Sequence, residues 1–445
     1  MSNNDNKGAE MTNAGNGPVR RRTFLGAAGV GAVTTTLAGC LGGITGEDDD
    51  IFRIGHLAPT RSQMGLGAER SIEIAVDEVN DDGGILDQEV ELLSENTEGQ
   101  VDEATAVVES LVQEDNVDLL VGTFVSEVTQ GVMDFVADRN VPFLITGSAD
   151  PDTITEFHGQ DYEQYKNVFR TGPINSDLQA EGMGQYAEFL SDEHGWEEFA
   201  ILADDAAWTG PFMDRLPDEI EDRGFSVVHT DTMGIETDDF TQYLDDVDSA
   251  DADAVFRFIA HADSAAFVST WQSNEYPFAV EGINVPGMSP AFWDATEGAC
   301  LYETTSQSGA GGVAELTDQT MPFVEEYEDR YADEDPPSKP MYMGFNSYDA
   351  VHFYREAVES AGTADYENEL DGIVDAMLST EHTGAAGDMA LYDEDSEYPN
   401  DLQETRDEDD YISNFPVTQW QDDGEVECVF PETDATADHV APEWL

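Results

Sequence analysis

Residues Ile54–Leu93 read IGHLAPTRSQMGLGAERSIEIAVDEVNDDGGILDQEVELL, and this stretch decides the fold class. Its apolar, β-branched start extends back to Ile51 and predicts a strand over Ile51–Leu57. A helix is predicted over Ala68–Asn80, because apolar residues recur there at i, i+3, i+4 and i+7. Glycines at 83 and 84 can adopt the left-handed conformation that ends a helix. A second strand is predicted over Glu89–Leu93.

The same alternation of short apolar strands with amphipathic helices continues along the chain. Such spacing indicates right-handed βαβ units and a parallel sheet, so the predicted class is α/β. The next predicted elements are a helix over Asp102–Glu114, a strand over Val117–Val121, a helix over Ser126–Asn140, and strands over Val141–Thr146 and Val168–Thr171.

A second series of elements follows, and it predicts a second α/β unit. The part of the chain after residue 39 has about 400 residues, more than one hydrophobic core usually covers. We predict strands over Phe199–Ala203, Phe225–Thr230 and Ala254–Ile259, and helices over Leu178–Leu190, Gly210–Arg223, Phe240–Val247, Ser264–Trp271, Pro322–Tyr331 and Ser347–Ala361. The chain closes on β-like segments at Val417–Trp420 and Glu425–Val429.

The charge of the chain is extreme. It carries 97 acidic residues against 17 basic ones, for a formal net charge of −80. Repulsion on this scale destabilises a compact state in dilute salt, whereas at 1 M salt the Debye length of roughly 3 Å screens most of it. The composition resembles that of proteins from extreme halophiles, notably haloarchaea. Disorder is not favoured, because 40% of the residues are hydrophobic and the apolar positions are periodic.

The N-terminal segment indicates export and anchoring. Arg21 and Arg22 precede a short apolar run that ends in Leu-Ala-Gly-Cys40. The run is too short to span a bilayer, and paired arginines are typical of the Tat route for folded proteins. The ending resembles a lipobox, which predicts a lipoprotein signal over 1–39 and a lipid-anchored acidic tether over 40–50. The alternative is an ordinary cleaved signal with an incidental cysteine.

Several function classes lack support in the sequence. No basic patch is present to neutralise phosphates, so nucleic-acid binding is not expected. The motifs GxxxxGK[ST], HExxH, CxxC and GxSxG are absent, and the eight histidines lack the spacing of metal ligands. We therefore expect a protein without enzymatic activity, metal or cofactor.

The ordered motifs of the chain resemble the leucine/isoleucine/valine-binding proteins, the branched-chain amino-acid branch of the type I periplasmic-binding-protein-like receptors. The opening stretch is followed at the family's intervals by VDLLVGTFVSEVTQ, VPFLITGSADP, NVFRTGPINSDLQAEGMGQYAEFL, FAILADDAAWTGPF, YDAVHFYREAVESAG and VTQWQDDGEVECVFPE. Each motif alone is weak, and their order and spacing carry the resemblance.

The resemblance implies two doubly wound parallel-sheet lobes joined by three crossing segments, with a ligand in the cleft between them. Lobe 1 is expected over 51–172 and 304–411, and lobe 2 over 173–303 and 412–445. It further implies a monomeric receptor on the outer face of the membrane that delivers a small molecule to an ABC permease and its ATPase. The expected ligand is a branched-chain or other small amino acid, with urea or a short amide as the alternative, and a sensory domain as a second one.

In open parallel sheets, ligands bind beyond the carboxyl ends of the strands. The loop Gly122–Ser126, which includes Thr123, lies there and leads directly into a helix, so free N–H groups suit a carboxylate. The resemblance assigns Ser126 to the ligand carboxylate. The alternative is that Ser126 serves only as helix N-cap.

Gly147, Ala149 and Asp150 form the next candidate loop. The resemblance places Asp150 where the family has a threonine that contacts the ligand ammonium, so its carboxylate could hold that group. Equally, Asp150 could only start a turn before Pro151.

In the second series, Trp208 stands where the family usually has a tyrosine that covers the ligand, and His261 follows an apolar strand. Either side chain could instead be structural. The family's acidic ligand for the ammonium should fall near Gly287–Ser289, where no carboxylate is present. Ser289 is the remaining polar candidate there.

Three further residues carry open alternatives. Arg257 lies within an apolar strand and needs a carboxylate partner, for which we favour another protein residue over the ligand. Cys300 and Cys428 either form a disulfide, which the resemblance makes plausible, or remain two buried thiols.

Overall fold

Two separate parallel β-sheets organise the chain. The structure, a computed structural model, describes residues 51–407 and 409–445. The signal predicted over 1–39, the tether over 40–50 and the anchor residue Cys40 lie outside the described residues.

The strands are short, and half of them are fully buried. In chain order they are β1 (Ile51–Ala58), β2 (Glu89–Asn96), β3 (Leu119–Gly122), β4 (Phe143–Ile145), β5 (Val168–Arg170), β6 (Glu198–Asp204), β7 (Ser226–Met233), β8 (Ala254–Ile259), β9 (Ala279–Asn284), β10 (Thr304–Ser306), β11 (His382–Thr383), β12 (Asp388–Met389), β13 (Val417–Trp420) and β14 (Val426–Phe430).

Each half of the fold is built on one of the parallel sheets. The first sheet has the order β2-β1-β3-β4-β5, and the second has the order β7-β6-β8-β9. All their strand pairs are parallel. A third sheet, β10-β13-β14, is antiparallel, and β11 pairs with β12 as a small hairpin. We call the first sheet with its helices the first lobe, and the second sheet with its helices the second lobe.

Thirteen α-helices lie within the described residues. They are α1 (Gln63–Asp81), α2 (Val101–Gln113), α3 (Ser126–Arg139), α4 (Asp152–Tyr165), α5 (Ser176–His194), α6 (Gly210–Asp214), α7 (Leu216–Asp222), α8 (Thr241–Ser249), α9 (Ser264–Asn274), α10 (Ala291–Ala295), α11 (Thr320–Tyr331), α12 (Tyr342–Ala361) and α13 (Tyr366–Ser379). Short 3₁₀ turns occupy Ala207–Thr209, Pro286–Met288, Ser308–Gly312 and Asp422–Gly424.

Alternation along the buried strands divides the core into layers. In β1, Phe52 and Ile54 point into a cluster with α1 and α12, whereas Leu57 belongs to a cluster with α2 and α3. In β8, Phe256 joins the layer of α5 to α7 and Val255 the layer of α8 and α9. Helices on both faces explain why central strands such as β3 and β8 are buried along their whole length, whereas the edge strands β2 and β7 keep exposed polar positions.

The first helix begins five residues earlier than its apolar periodicity predicts. Ser62 is its N-cap, and its Oγ accepts a hydrogen bond of 3.2 Å from the N–H of Gly65. The helix ends before Gly83 and Gly84, which have φ of +105° and +83°. A Cβ at Gly84 would lie 1.7 Å from the Gln88 carbonyl oxygen, so the turn into β2 requires glycine there.

The helix predicted over Gly210–Arg223 was wrong in one respect, because it is two helices. The chain leaves regular helix geometry at Arg215, with φ of −103°, and α7 starts with Pro217 in its first turn. Proline lacks the N–H that a continuous helix would use there.

The chain passes between the lobes three times. It leaves the first sheet after β5 and enters α5, returns through β10 towards α11 and α12, and crosses again before β13. The α/β class with two parallel-sheet lobes is thus confirmed. The lobe boundaries expected at 172, 303 and 411 stay predictions.

Candidate functional site

A cavity of about 60 Å³ lies at the carboxyl ends of both parallel sheets. Its lining from the first lobe follows β3, β4 and β5, and its lining from the second lobe follows β6, β8 and β9. The apolar lining residues and the one glycine are Phe124, Val125, Gly147, Ala149, Pro173, Ile174, Trp208, Ala260, Ile283, Val285, Met288 and Phe415. The polar ones are Ser126, Gln179, His261, Ser306, Gln307, Ser308, Tyr342 and Asn414.

Ser126 lies in this lining, and its hydroxyl acts only as an acceptor towards the two groups that bond it, so its hydrogen remains available for a ligand. Its Oγ accepts a hydrogen bond of 3.1 Å from the Ser148 hydroxyl and a longer one, 3.4 Å, from the N–H of Asp150. Val125, not Ser126, is the N-cap residue of α3, and no side chain caps this helix start. The first N–H groups of a helix have no intrahelical partner, so they and the Ser126 hydroxyl can all donate to an anion.

The loop after β4 supplies small residues, as predicted. Gly147 and Ala149 both line the cavity. The Tyr342 hydroxyl donates a hydrogen bond of 2.7 Å to the Gly147 carbonyl oxygen. A Cβ at Gly147 would lie 2.7 Å from the Thr123 carbonyl oxygen, so no larger residue fits without displacing backbone. This loop therefore lets α12 and the loop after β3 approach the cavity closely.

Trp208 and His261 form the facing wall in the second lobe. The Trp208 indole packs edge-to-face on Phe212, with centroids 5.7 Å apart. Asp204 holds the loop of His261, because its Oδ2 accepts hydrogen bonds from the N–H groups of Ala260 (2.8 Å) and His261 (2.7 Å). The His261 ring contacts Phe124 of the first lobe at a centroid distance of 6.1 Å. Both predicted aromatic residues are therefore at the cavity.

The structure does not bring Thr123, Asp150 or Ser289 into the lining. Thr123 is fully buried, and its hydroxyl donates to the Gly122 carbonyl oxygen at 2.7 Å. Ser289 donates to Gln63 Oε1 instead of facing the cavity. Since neighbouring protein atoms already occupy these hydroxyls, the predicted ligand contacts of Thr123 and Ser289 have no support from the cavity lining.

Asp150 starts a turn, the second of its two predicted roles. Its Oδ1 accepts from the N–H of Asp152 at 3.1 Å, and its Oδ2 accepts from Gln130 Nε2 at 2.8 Å. Burial raises the pKa of Asp150 to about 6, with the nearby Asp152 carboxylate adding to the rise and Arg170 opposing it. The carboxylate thus faces α3 and α4, and the predicted contact with a ligand ammonium has no geometric support.

Sequence reasoning missed the residues that the crossing segments bring to the cavity. Gln179, Gln307 and Phe415 come from α5, from the segment after β10 and from the segment before β13. Gln179 lies in a predicted helix and in one of the quoted motifs, but neither marks it as a cavity residue, and Gln307 and Phe415 lie in no quoted motif. Only the juxtaposition of the three crossings places them on one wall, so no local signal could have identified them.

Arg170 and Arg257 are fully buried, and each forms an ion pair with a buried carboxylate. Arg257 Nη2 lies 3.0 Å from Glu303 Oε2, so the predicted protein partner is confirmed. Arg170 Nη1 lies 2.7 Å from Asp401 Oδ2, with both side chains fully buried. Burial raises the pKa of Glu303 to about 7, against the pull of Arg257. These pairs are internal to the fold and do not line the cavity.

The two described cysteines are not bonded to each other. Cys300 and Cys428 are free and buried. Cys300 packs in the core of the second lobe, whereas Cys428 packs against Ala310 and Ala314. Burial raises the pKa of each thiol to about 12. The disulfide is therefore corrected in favour of the alternative, two buried thiols.

The described residues contain neither a cluster of metal ligands nor a helix that could span a membrane. No group of three or more histidine, cysteine, aspartate or glutamate side chains among them could hold a metal ion. In the same residues, the helices are all too short or too polar to cross a membrane.

Comparisons with known proteins agree with this architecture. The sequence model of a family described as periplasmic binding protein matches residues 52–406. A curated relative, Leu/Ile/Val-binding protein homolog 7 of Brucella suis biovar 1, is 24% identical over 260 residues, which are 56% of this chain. The chain spans about three fifths (62%) of the length of that relative.

Solved structures share the whole fold. A protein of Silicibacter pomeroyi described as a branched-chain amino acid ABC transporter superposes with a TM-score of 0.75 at 20% identity, covering 89% of this chain and 100% of its own. An ABC-transporter solute-binding protein of R. palustris in complex with benzoate gives a TM-score of 0.66 at 16% identity, with 88% and 98% covered. At such identities these two likenesses establish the fold alone.

Proposed function

The chain belongs to the periplasmic binding protein family, and on this premise we propose that it is the solute-binding receptor of an ABC importer. The observation that carries the proposal is the cavity lined from the carboxyl ends of both parallel sheets. Ligands of open parallel sheets bind at that edge. A ligand held there touches both lobes, so binding favours the closed arrangement that a permease can recognise.

The chemistry of the cavity supports a small carboxylate with an apolar body. The Ser126 hydroxyl and the start of α3 offer donors to a carboxylate. The remaining walls are mostly apolar, as in ligand pockets generally. Branched-chain and other small amino acids belong to this class, and the sequence resemblance favours them. The benzoate bound by the R. palustris protein belongs to it as well.

The partners and the location follow from the sequence and the family. The receptor acts outside the cytoplasm and passes its ligand to a permease driven by an ATPase. The Tat-type signal over 1–39 would direct export, and after its cleavage a lipid on Cys40 would tether the receptor to the membrane, with residues 40–50 as a spacer. We expect the receptor to be a monomer, and sedimentation of the purified protein in high salt tests this.

Two alternatives differ in ligand or role. Urea or a short amide would bind through neutral hydrogen bonds, for which the polar lining residues suffice. A sensory domain would bind the same ligand without a permease. Transport assays in cells that lack the receptor separate the second alternative from an importer, because a sensor's loss leaves uptake intact.

Thermal unfolding in high salt tests the proposal. The protein is melted with a panel of amino acids, carboxylates without an amino group, urea and short amides. A ligand that binds only the folded state stabilises it by mass action, by about 2.7 kcal/mol at a concentration 100 times Kd. The melting temperature rises as a result. A shift with one class identifies the ligand type. The proposal fails if no small solute shifts the transition.

A further inference from the structure

We propose that this receptor selects carboxylates that carry a neutral hydrogen-bond donor, a hydroxyl or amide N–H, where an amino acid carries its ammonium. The inference rests on the proposed function, because it assumes that the cavity is the ligand site. It concerns the polar part of the cavity lining, and it assigns a specificity role to Gln307.

No residue of the cavity lining carries a fixed charge. The eight polar residues are neutral amides, hydroxyls and one imidazole. A buried ammonium is costly unless a carboxylate pairs with it. In the second lobe, the segment after β9 presents the apolar side chains of Val285 and Met288 to the cavity. An α-ammonium would therefore lose its water here without gaining an ion-pair partner.

Carboxylates adjoin the lining residues but are not part of the lining. Glu127, next to Ser126, accepts a hydrogen bond of 3.2 Å from the N–H of Ala207, the neighbour of Trp208. Both oxygens of Asp150 accept hydrogen bonds from Gln130 and Asp152. Asp204 is fully buried behind the loop of Ala260 and His261, whose N–H groups bind its Oδ2. Its Oδ1 has no partner among the described residues, which makes Asp204 the carboxylate to examine should an ammonium prove to bind.

Gln307 offers a neutral acceptor in the cavity wall. Its side chain is 5% exposed, and its Oε1 has no partner in the described part of the chain. The orientation of the amide is determined by its neighbours. Thr418 Oγ1 donates to the Thr305 carbonyl oxygen at 3.0 Å, so it can only accept from Gln307 Nε2, which lies 3.1 Å away. The group left free is consequently the oxygen.

A buried amide oxygen without a donor is unfavourable, so this position selects a ligand that supplies one. A hydroxyl or an amide N–H does so without bringing a charge into an apolar wall. The indole N–H of Trp208, another lining residue, also has no partner among the described residues and can donate to a ligand oxygen. An acid with no second polar group would leave the Gln307 oxygen unsatisfied.

The test uses matched ligands that differ in one group. Isothermal titration in high salt compares the 2-amino, 2-hydroxy and unsubstituted acids with methyl, isobutyl and benzyl side chains, nine compounds in all. In each size class that binds, the 2-hydroxy acid is expected to bind on the order of tenfold or more tighter than the 2-amino acid. An amino acid that binds its site tighter than the matching hydroxy acid overturns the inference and leaves the receptor function intact.

Variants of Gln307 locate the effect. Gln307→Met removes the acceptor at similar volume, and Thr418 keeps its bond to Thr305. This variant should lose about tenfold in affinity for the hydroxy acid and little for the unsubstituted acid. Gln307→Glu supplies a carboxylate, so the ratio of amino-acid to hydroxy-acid affinity should rise. Equal losses for all acids in Gln307→Met would contradict the assignment.

Failure of the proposed function has a different signature. Binding of urea or amides with no binding of any of the nine acids refutes the inference but keeps a receptor. The absence of binding by every acid, amino acid and amide refutes both. The comparison of ligands on the unmodified protein needs no variant, so a Gln307 variant that fails to fold does not spoil the test.

Discussion

The hydroxyl of Ser289 donates a hydrogen bond to Oε1 of Gln63, across 226 residues of sequence. Gln63 is the first residue of α1 in the first lobe, and Ser289 follows the 3₁₀ turn after β9 in the second. Met288, next to Ser289, lines the cavity. The bond therefore joins the lobes directly beside the candidate site.

Loss of this bond should weaken closure. Ser289→Ala is expected to speed dissociation of the best-binding panel ligand about two- to tenfold, because a net hydrogen bond contributes about 0.5–1.5 kcal/mol. Stopped-flow displacement measures the rate. Ser273→Ala is the control, since Ser273 lies in the same lobe and its Oγ bonds only to Thr270 within α9. An unchanged rate in Ser289→Ala would show that closure does not depend on this contact.

Ser126→Ala should reduce carboxylate affinity by at least about tenfold, since hydrogen bonds to charged groups contribute about 1.5–3 kcal/mol. Titration with the best-binding panel acid measures the loss. Ser148→Ala removes the neighbouring hydroxyl that donates to Ser126 Oγ but does not line the cavity. If the two variants lose the same affinity, the loss comes from the local hydrogen-bond network and not from a contact with the ligand.

Asp401→Ala should destabilise the fold by about 3–5 kcal/mol, because it leaves the fully buried Arg170 without its carboxylate. Asp401 also accepts from Asn175 Nδ2 at 3.1 Å, so one side chain ties two crossing segments together. Denaturant unfolding in constant high salt measures the change. The control Glu359→Ala, at a surface pair with Arg355, should cost less than about 1 kcal/mol. Similar losses in both variants would contradict a special role for the buried pair.

The stabilisation that Asp150 and Glu303 contribute should be lost as pH rises from about 4.5 to 7.5 at fixed high salt. The buried His56 and His158 act in the opposite direction below pH 6.5, because burial lowers their pKa values to about 3 and about 4. Burial raises the pKa of Asp150 to about 6 and that of Glu303 to about 7. For an acid with a raised pKa in the folded state, the stabilisation is fully present below the unfolded pKa of about 4 and is lost as pH rises through the folded value. Melting curves across this range measure it.

The variant Asp150→Asn isolates one of these groups, because an amide cannot ionise. Its stability relative to the parent protein should improve as pH rises from 5 to 7.5. A relative stability that instead worsens with pH would mean that the folded state favours the charged Asp150 carboxylate.

The melting temperature should rise by on the order of 5–10 °C between 0.2 M and 2 M KCl, because salt screens the repulsion within a chain of net charge −80. Choline chloride at equal ionic strength is the control and should reproduce most of the rise, since screening depends on ionic strength and not on the cation. A flat response would mean that the surface acids are already compensated in dilute salt.

Local sequence patterns predicted most of the regular structure. The apolar periodicity of α1 and the β-branched runs of β1 and β8 each reflect burial on a known face, which is a short-range property. The pattern failed at β9 and α13. Glu281 and Gly282 interrupt the apolar run of β9, and Gly282 has φ of +116°. Glu281 is tolerated there because Tyr186 and Thr304 donate hydrogen bonds to its Oε2 and His439 Nε2 lies 3.3 Å from its Oε1.

Some residues of the candidate site could also be predicted from the sequence, and others could not. Ser126, Gly147, Trp208 and His261 were predictable, because they follow strands whose carboxyl ends must meet at one edge of a sheet. Gln307 was not, because its place in the wall depends on Thr418, 111 residues later in the chain.

From the sequence alone one can determine the α/β class, the order of most elements, the strand ends that carry the site and the acidic surface, because each depends on residues close together in the chain. Only the tertiary structure decided which polar atoms remain free to meet a ligand. Asp150 and Ser126 are equally plausible ligand contacts from the sequence. In the structure, Gln130 and Asp152 donate hydrogen bonds to the carboxylate of Asp150, whereas Ser126 lines the cavity. Hydrogen-bond partners distant in sequence make that choice.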